Sequence, residues 1–205
     1  MSLLNDAALR HFHHLNERLE LTFLKQSEKA ELIKVLGLSD FIANSLIKQP
    51  ALLQDLLDGN LLNTAQRKAE ISNELKSQLS TVTDEPTLYK VLRLFRRKHM
   101  VVIAWRELLG KASLAESLEH TSYLADELIL KSMCWLYNKQ CTEQGTPINQ
   151  AGVRQTMFIF AMGKLGGREL NFSSDIDLIF AYPERGQTQG GRRPVENQTF
   201  FIDAP

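Results

Sequence analysis

The chain is poor in cysteine, in net charge and in long apolar runs, and each shortage excludes something. Its two cysteines are Cys134 and Cys141. Seven residues apart on a helix, they would share a face but stand about 10 Å apart along the axis, too far for a disulfide. Two lone thiols and no secretory leader point to a reducing, cytoplasmic setting. Lys plus Arg and Asp plus Glu total 24 each, so the formal charge cancels. That lends no support to a general binder of nucleic acid or membrane, although local basic patches stay open. No segment approaches the roughly 18 consecutive apolar residues of a membrane helix. Hydrophobic residues at 43% and charged residues at 23% are ordinary for a soluble globular protein. The length of 205 residues allows one large domain or two small ones. His11, His13 and His14 lack a cysteine or carboxylate at ligand spacing, so they read as a solvated helix face.

Two regions with different periods are present. Up to about Cys141 the apolar residues recur at helical spacing. Leu32, Val35 and Leu36 fit one helix, which Gly37 is expected to close. Ser39 and Asp40 offer an N-cap for a short helix that Pro50 stops. A second short helix covers Ala51 to Leu57, and another Thr64 to Leu79. Thr83-Asp84-Glu85-Pro86 opens the clearest helix, with Leu88, Val91, Leu92, Phe95, Val102 and Ile103 as its stripe and its end near Gly110. Arg93, Arg96, Arg97 and Lys98 crowd its middle. They read either as a solvated face or as a surface aimed at a phosphate or a partner protein. A last helix covers Leu114 to about Asn138.

The pattern breaks at Gly145-Thr146-Pro147. Thr156–Met162 and Ile176–Tyr182 are continuous apolar runs of strand length, suited to central strands of a covered sheet. No other strands are expected. Gly186–Arg193 reads as a mobile basic loop. The division expected is a helical domain over residues 1–145 and a second domain over residues 146–205.

Between the two apolar runs lie Gly163-Lys164-Leu165-Gly166-Gly167, Ser173, Ser174, Asp175 and Asp177. If the second strand begins with the aspartates, both point to one face, about 6–7 Å apart. Like charges at that range repel, and a hard cation relieves them; magnesium takes one or two carboxylates plus water and phosphate oxygens. The alternative is a strand end capped in solvent. Gly163, Gly166 and Gly167 permit a tight turn and close approach of backbone N–H groups to an anion. Lys164 adds a positive charge, and Ser173 and Ser174 can donate to phosphate or to the carboxylates. Neither Walker A, nor the dinucleotide fingerprint, nor an EF-hand loop fits this order of residues.

The segment GKLGGRELNFSSDIDLIF resembles the polymerase-beta-type nucleotidyltransferases, and more narrowly the bacterial glutamine synthetase adenylyltransferases. SDFIANSLIKQPALL, LRLFRRKHMVVIAW and GGRRPVENQTFF are similar to the amino-terminal half of that family, the half associated with removing AMP. The resemblance covers the whole chain. It implies an α+β fold: a large helical region, then the first strands of a nucleotidyltransferase-type sheet, truncated. It assigns Asp175 and Asp177 to metal binding and catalysis. Gly163, Lys164, Gly166, Gly167, Ser173 and Ser174 would hold nucleotide or phosphate. Lys164 departs from the serine common in the wider superfamily. The implied cofactor is Mg2+, with ATP, ADP and phosphate as substrates. The implied partners are glutamine synthetase and a PII-type signal protein, with neither nucleic acid nor membrane.

A third carboxylate belongs on a later strand of such enzymes. Glu184 and Glu196 fall in loops, and Asp203 stands too near the end to take that role. The chain by itself is therefore expected to bind nucleotide weakly and not to turn over. The rival readings are a helical interaction module with an inert sheet remnant, and a stand-alone minimal nucleotidyltransferase.

Overall fold

The structure is a computed structural model and describes residues 3–202. Asp203 lies outside the described residues. The chain forms two compact units. The first comprises the residues up to Ile71 together with Arg93–Leu124, and the second Ser72–Leu92 together with the residues from Ala125 onward. In order along the chain come α1 (Leu3–Leu19), a single 3-10 turn (Leu21–Phe23), α2 (Gln26–Leu38), α3 (Asp40–Lys48) and α4 (Ala51–Asp58). They are followed by α5 (Lys68–Leu79), α6 (Glu85–Leu108) and α7 (Leu114–Gln144). Short strands and short helices follow among the described residues: β1 (Gly145–Asn149), β2 (Phe158–Ala161), α8 (Gly163–Gly166), β3 (Leu178–Ala181), β4 (Gly186–Gly190) and α9 (Asn197–Ile202). This is the expected α+β arrangement, helical first and stranded last. Among the described residues no helix is long and apolar enough to cross a membrane.

The first unit is held by leucines at helical spacing. Leu15 of α1, Leu32, Val35 and Leu36 of α2, Ile42 and Leu46 of α3, and Leu52, Leu53 and Leu56 of α4 pack around Val101, Val102 and Trp105 of α6. Each is almost wholly removed from water, a gain of about 1.5–3 kcal/mol per large side chain. Ser39 starts α3 as anticipated, its hydroxyl accepting the Ile42 N–H at 3.3 Å. Gly37, by contrast, does not close α2; the helix runs one residue further, and the Ser39 N–H still reaches the Val35 carbonyl at 3.0 Å. Burying Leu36 on the same turn outweighs the helix cost of one glycine, about 1 kcal/mol. His13 and His14 are exposed, as read, but His11 is half-buried with Nδ1 3.2 Å from the Leu36 carbonyl. Buried Arg106 donates to Glu116 at 2.8 Å, and Lys111 to Glu31 at 2.6 Å.

The second unit combines helix packing with polar ties. The Trp135 indole donates to the Val82 carbonyl at 3.2 Å, and Lys139 pairs with Glu85 at 2.5 Å. Helix α7 runs six residues past the expected end at Asn138 and delivers Gln140, whose amide donates to the Phe200 carbonyl at 2.7 Å. β1 and β4 pair antiparallel, from Gly145 opposite Gly190 to Asn149 opposite Gly186. The segment expected to be a mobile basic loop is therefore largely a strand, and strands are not confined to the two apolar runs. Long-range polar contacts explain this. The Thr188 hydroxyl donates to the Gln144 carbonyl, and the amide of fully buried Asn197 donates to the Ile148 carbonyl at 2.9 Å. A Cβ at Gly186 would collide with that same Ile148 carbonyl, which fixes glycine there.

The Asp84 carboxylate caps α6, accepting the Thr87 N–H at 2.8 Å. That bond, with a second from the Thr87 side chain and the nearby Lys139 charge, holds the Asp84 carboxyl below the usual carboxylate range. A depressed folded-state pKa stabilises the fold above the ordinary carboxylate pKa, and the benefit is lost as pH falls through the folded value. Asp84→Ala is therefore expected to lower the melting temperature at neutral pH. The deficit should close in acid, as read by circular dichroism melts across the carboxylate range. A deficit that persists undiminished in acid would show that the carboxylate charge is not what stabilises this helix start.

Candidate active site

β2 and β3 pair antiparallel with Phe158 opposite Ala181 and Ala161 opposite Leu178. Each is the centre of an apolar run expected to be a strand. They are not covered, however. Phe158, Phe160, Ile179 and Phe180 are 52–55% exposed, and residues on both faces of this two-stranded ladder reach solvent. The apolar run reports only that these residues suit a buried strand. The described residues supply no second layer over them.

At the end of β2 the backbone makes the turn on which the site depends. Met162 is extended, and its N–H donates to the Asp177 carbonyl at 3.0 Å. Gly163 then takes φ +54°, in the left-handed region that glycine enters without penalty. One helical turn follows, α8, closed by Gly166 N–H to the Met162 carbonyl at 3.3 Å and Gly167 N–H to the Gly163 carbonyl at 3.0 Å. Leu165 and Leu170 are buried and anchor the turn. Arg168 leaves it with φ +58°, an uncommon conformation for a residue with a Cβ.

Asp175 and Asp177 lie in the extended approach to β3, not within it, because β3 starts at Leu178. Both side chains are exposed. The Met162–Asp177 bond brings the second aspartate beside the start of the glycine turn. Lys164 reaches the Ser174 hydroxyl at 3.4 Å, so two more of the expected phosphate-binding residues meet. Ser173 is exposed on the same segment. Glu184 is engaged elsewhere, accepting from the Asn149 amide at 3.1 Å. Among the described residues no three His, Cys, Asp or Glu side chains converge as a metal-binding group. The exposed carboxylates of Asp175 and Asp177 are hard-oxygen donors of the kind magnesium accepts when water and phosphate complete its shell.

Two features were not foreseen from residue pattern. One is the backbone bond of Met162, which no side-chain motif signals. The other is a cleft of about 820 Å3 beside β1 and β4, lined in part by Asn149, Gln150, Arg185, Gln187 and Glu196. None of the glycine-turn or aspartate residues lines it. Its polar residues are scattered through segments of loop-like composition, so nothing in the sequence marked it.

Residues 29–203 match the family model for glutamate-ammonia ligase adenylyltransferase, and the chain belongs to that family of nucleotidyltransferases. It is 71% identical over 201 residues to the bifunctional glutamine synthetase adenylyltransferase/adenylyl-removing enzyme of Psychromonas ingrahamii, covering 98% of this chain and 21% of that protein. It is 45% identical over 203 residues to the enzyme of the same name from Shewanella woodyi, with coverage of 98% and 21%. The Shewanella loihica enzyme is 47% identical over 179 residues, with coverage of 87% and 18%. The chain thus spans about a fifth of the length of the curated relatives it matches.

The turn makes a local prediction. A Cβ at Gly166 would collide with the Ala161 carbonyl oxygen, whereas one at Gly167 would meet only ordinary contacts at 3.6 and 3.9 Å. Gly166→Ala should lower the thermal unfolding midpoint of the second unit, and Gly167→Ala should leave it within the scatter of surface substitutions. Equal midpoints for the two variants would show that the close approach to Ala161 does not constrain the turn.

Proposed function

We propose that the parent protein removes AMP from a tyrosine of glutamine synthetase by phosphorolysis, and that its other half attaches AMP using ATP. The observation that supports the reading is the hydrogen bond from the Met162 N–H to the Asp177 carbonyl, which joins the backbone of the acidic segment to the start of the glycine turn. Family membership supports the reaction class, and the relatives' names supply glutamine synthetase as the protein acted on. Residues 146–205 are read as the start of the catalytic domain, and residues 1–145 as a helical domain. The setting is the cytoplasm, the output is control of nitrogen assimilation, and a PII-type signal protein is the expected regulator.

In the removal direction an oxygen of inorganic phosphate attacks the phosphorus of the adenylyl group on tyrosine. The bond from phosphorus to the tyrosine oxygen breaks, and ADP and free tyrosine leave. Asp175 and Asp177 would hold Mg2+, which supplies neutralisation of phosphate charge when bound. The backbone N–H groups of the turn at Gly163, Gly166 and Gly167 are suited to phosphate oxygens. Lys164 adds positive charge, and Ser173 and Ser174 offer hydroxyl donors.

Asp175→Asn in the full-length enzyme keeps the side-chain shape and removes the charge. It should abolish phosphate-dependent deadenylylation, read as ADP released from adenylylated glutamine synthetase, while sparing adenylylation by the other half. Near-normal ADP release by that variant would place the chemistry elsewhere. For the 205-residue chain itself, calorimetry should find weak, magnesium-dependent binding of ATP or ADP, with no transfer of AMP in either direction. Binding needs only complementary charge, whereas turnover needs the nucleophile activated and aligned as well. Robust turnover by the chain would mean that no further carboxylate is required.

A further inference from the structure

Arg93, Arg96 and Arg97 stand on α6 at positions i, i+3 and i+4, so their side chains leave one face of the helix. Arg93 and Arg96 are exposed and Arg97 is half-buried. Phe95 and His99, on turns facing away from them, are buried. Like charges at this spacing repel one another and weaken a helix. Some basic residues elsewhere are ion-paired: Arg106 with Glu116, Lys111 with Glu31 and Lys139 with Glu85. Among the described residues no carboxylate forms an ion pair with Arg93, Arg96 or Arg97. In a chain whose acids and bases balance at 24 each, three adjacent unneutralised guanidiniums are a local surplus.

Guanidinium groups are well suited to carboxylates, which they grip with two parallel hydrogen bonds, and arginine is enriched in protein interfaces. An enzyme that acts on a tyrosine of another folded protein must also grip that protein away from the reacting atoms. Such remote contacts supply binding that the reacting groups alone do not. The glycine turn and the aspartate pair address phosphate and nucleotide, not a protein surface. A chain without net positive charge is also a poor general ligand for nucleic acid.

We propose that the Arg93–Arg96–Arg97 face docks a carboxylate-bearing patch on glutamine synthetase; this rests on the function proposed above. The test uses the full-length enzyme carrying Arg93→Glu, Arg96→Glu and Arg97→Glu together. Triple Gln and triple Lys variants accompany it, and binding to purified glutamine synthetase is measured by surface plasmon resonance at low and high salt. The Glu variant should bind about tenfold or more weakly at low salt and the Gln variant less severely so, while the Lys variant, which keeps the charge but loses the paired hydrogen bonds, should fall between the Gln variant and the parent. The differences should shrink as salt rises, because screening acts on the same charges. Circular dichroism checks folding; if the Glu variant loses helix, the Gln variant carries the comparison.

Unchanged affinity of the Gln variant overturns the proposal. So does selective loss of binding to a single-stranded RNA oligonucleotide with glutamine synthetase binding intact, which would reassign the face to nucleic acid. Failure of the underlying reading has a different signature. In that case the unmodified full-length enzyme releases no ADP from adenylylated glutamine synthetase, whatever the arginine variants do to binding.

Discussion

A single backbone hydrogen bond, from the Met162 N–H to the Asp177 carbonyl at 3.0 Å, sets the geometry of the candidate site. It extends the β2–β3 pairing one step past Ala161 and Leu178. It therefore fixes which residue of the acidic segment lies opposite Met162, at the start of the glycine turn. Strand register is an all-or-none quantity, since a slip of one residue sends every side chain to the opposite face. Gly166 reinforces the choice from the other side. Its lack of a side chain lets the turn close beneath the Ala161 carbonyl, and that contact forbids a shift of the turn along β2.

The ladder that carries this bond has little else to hold it. Four residues pair on each strand, and the phenylalanines and isoleucine that would drive burial remain more than half accessible. Two-stranded ribbons are marginal alone. The neighbouring β1–β4 pair shows the opposite economy. It has few apolar residues, yet Thr188 ties it to α7 and Asn197 ties it to α9 through buried polar groups. In the second unit, then, the polar pair has partners, whereas the apolar pair has no covering layer among the described residues. An exposed apolar ladder with two open edges also invites pairing with other chains.

Helix starts with a capping side chain were the most legible part of the sequence, because a cap is a local device; α5, read from Thr64, starts only at Lys68. Ser39 and Asp84 make the bonds their positions suggested, and α6 runs through the segment read as its length. The errors arose where distant residues decide. Gly37 sits inside α2 because Leu36 has a core to enter. Gly186–Gly190 reads as a loop by composition and forms a strand because β1 is there to pair with it. The aspartates were assigned to a strand, but pairing with β2 makes Leu178 the first strand residue. Whether an apolar strand is covered is likewise a property of its surroundings, and Phe158 and Phe180 carry no mark of it.

The charges around the turn complete the physical case. A lysine eleven residues from an aspartate in sequence could easily have closed an ion pair with it, and the pair would then have consumed the negative charge a cation needs. Lys164 instead contacts the neutral hydroxyl of Ser174 at 3.4 Å. Among the described residues neither Asp175 nor Asp177 is paired with a basic side chain. Positive and negative groups thus stand on adjoining segments without cancelling each other. Separated charges of this kind suit a ligand that carries both signs. On the function proposed above, a phosphate with its counter-cation is such a ligand: the anion would address Lys164 and the turn, and the cation the two carboxylates.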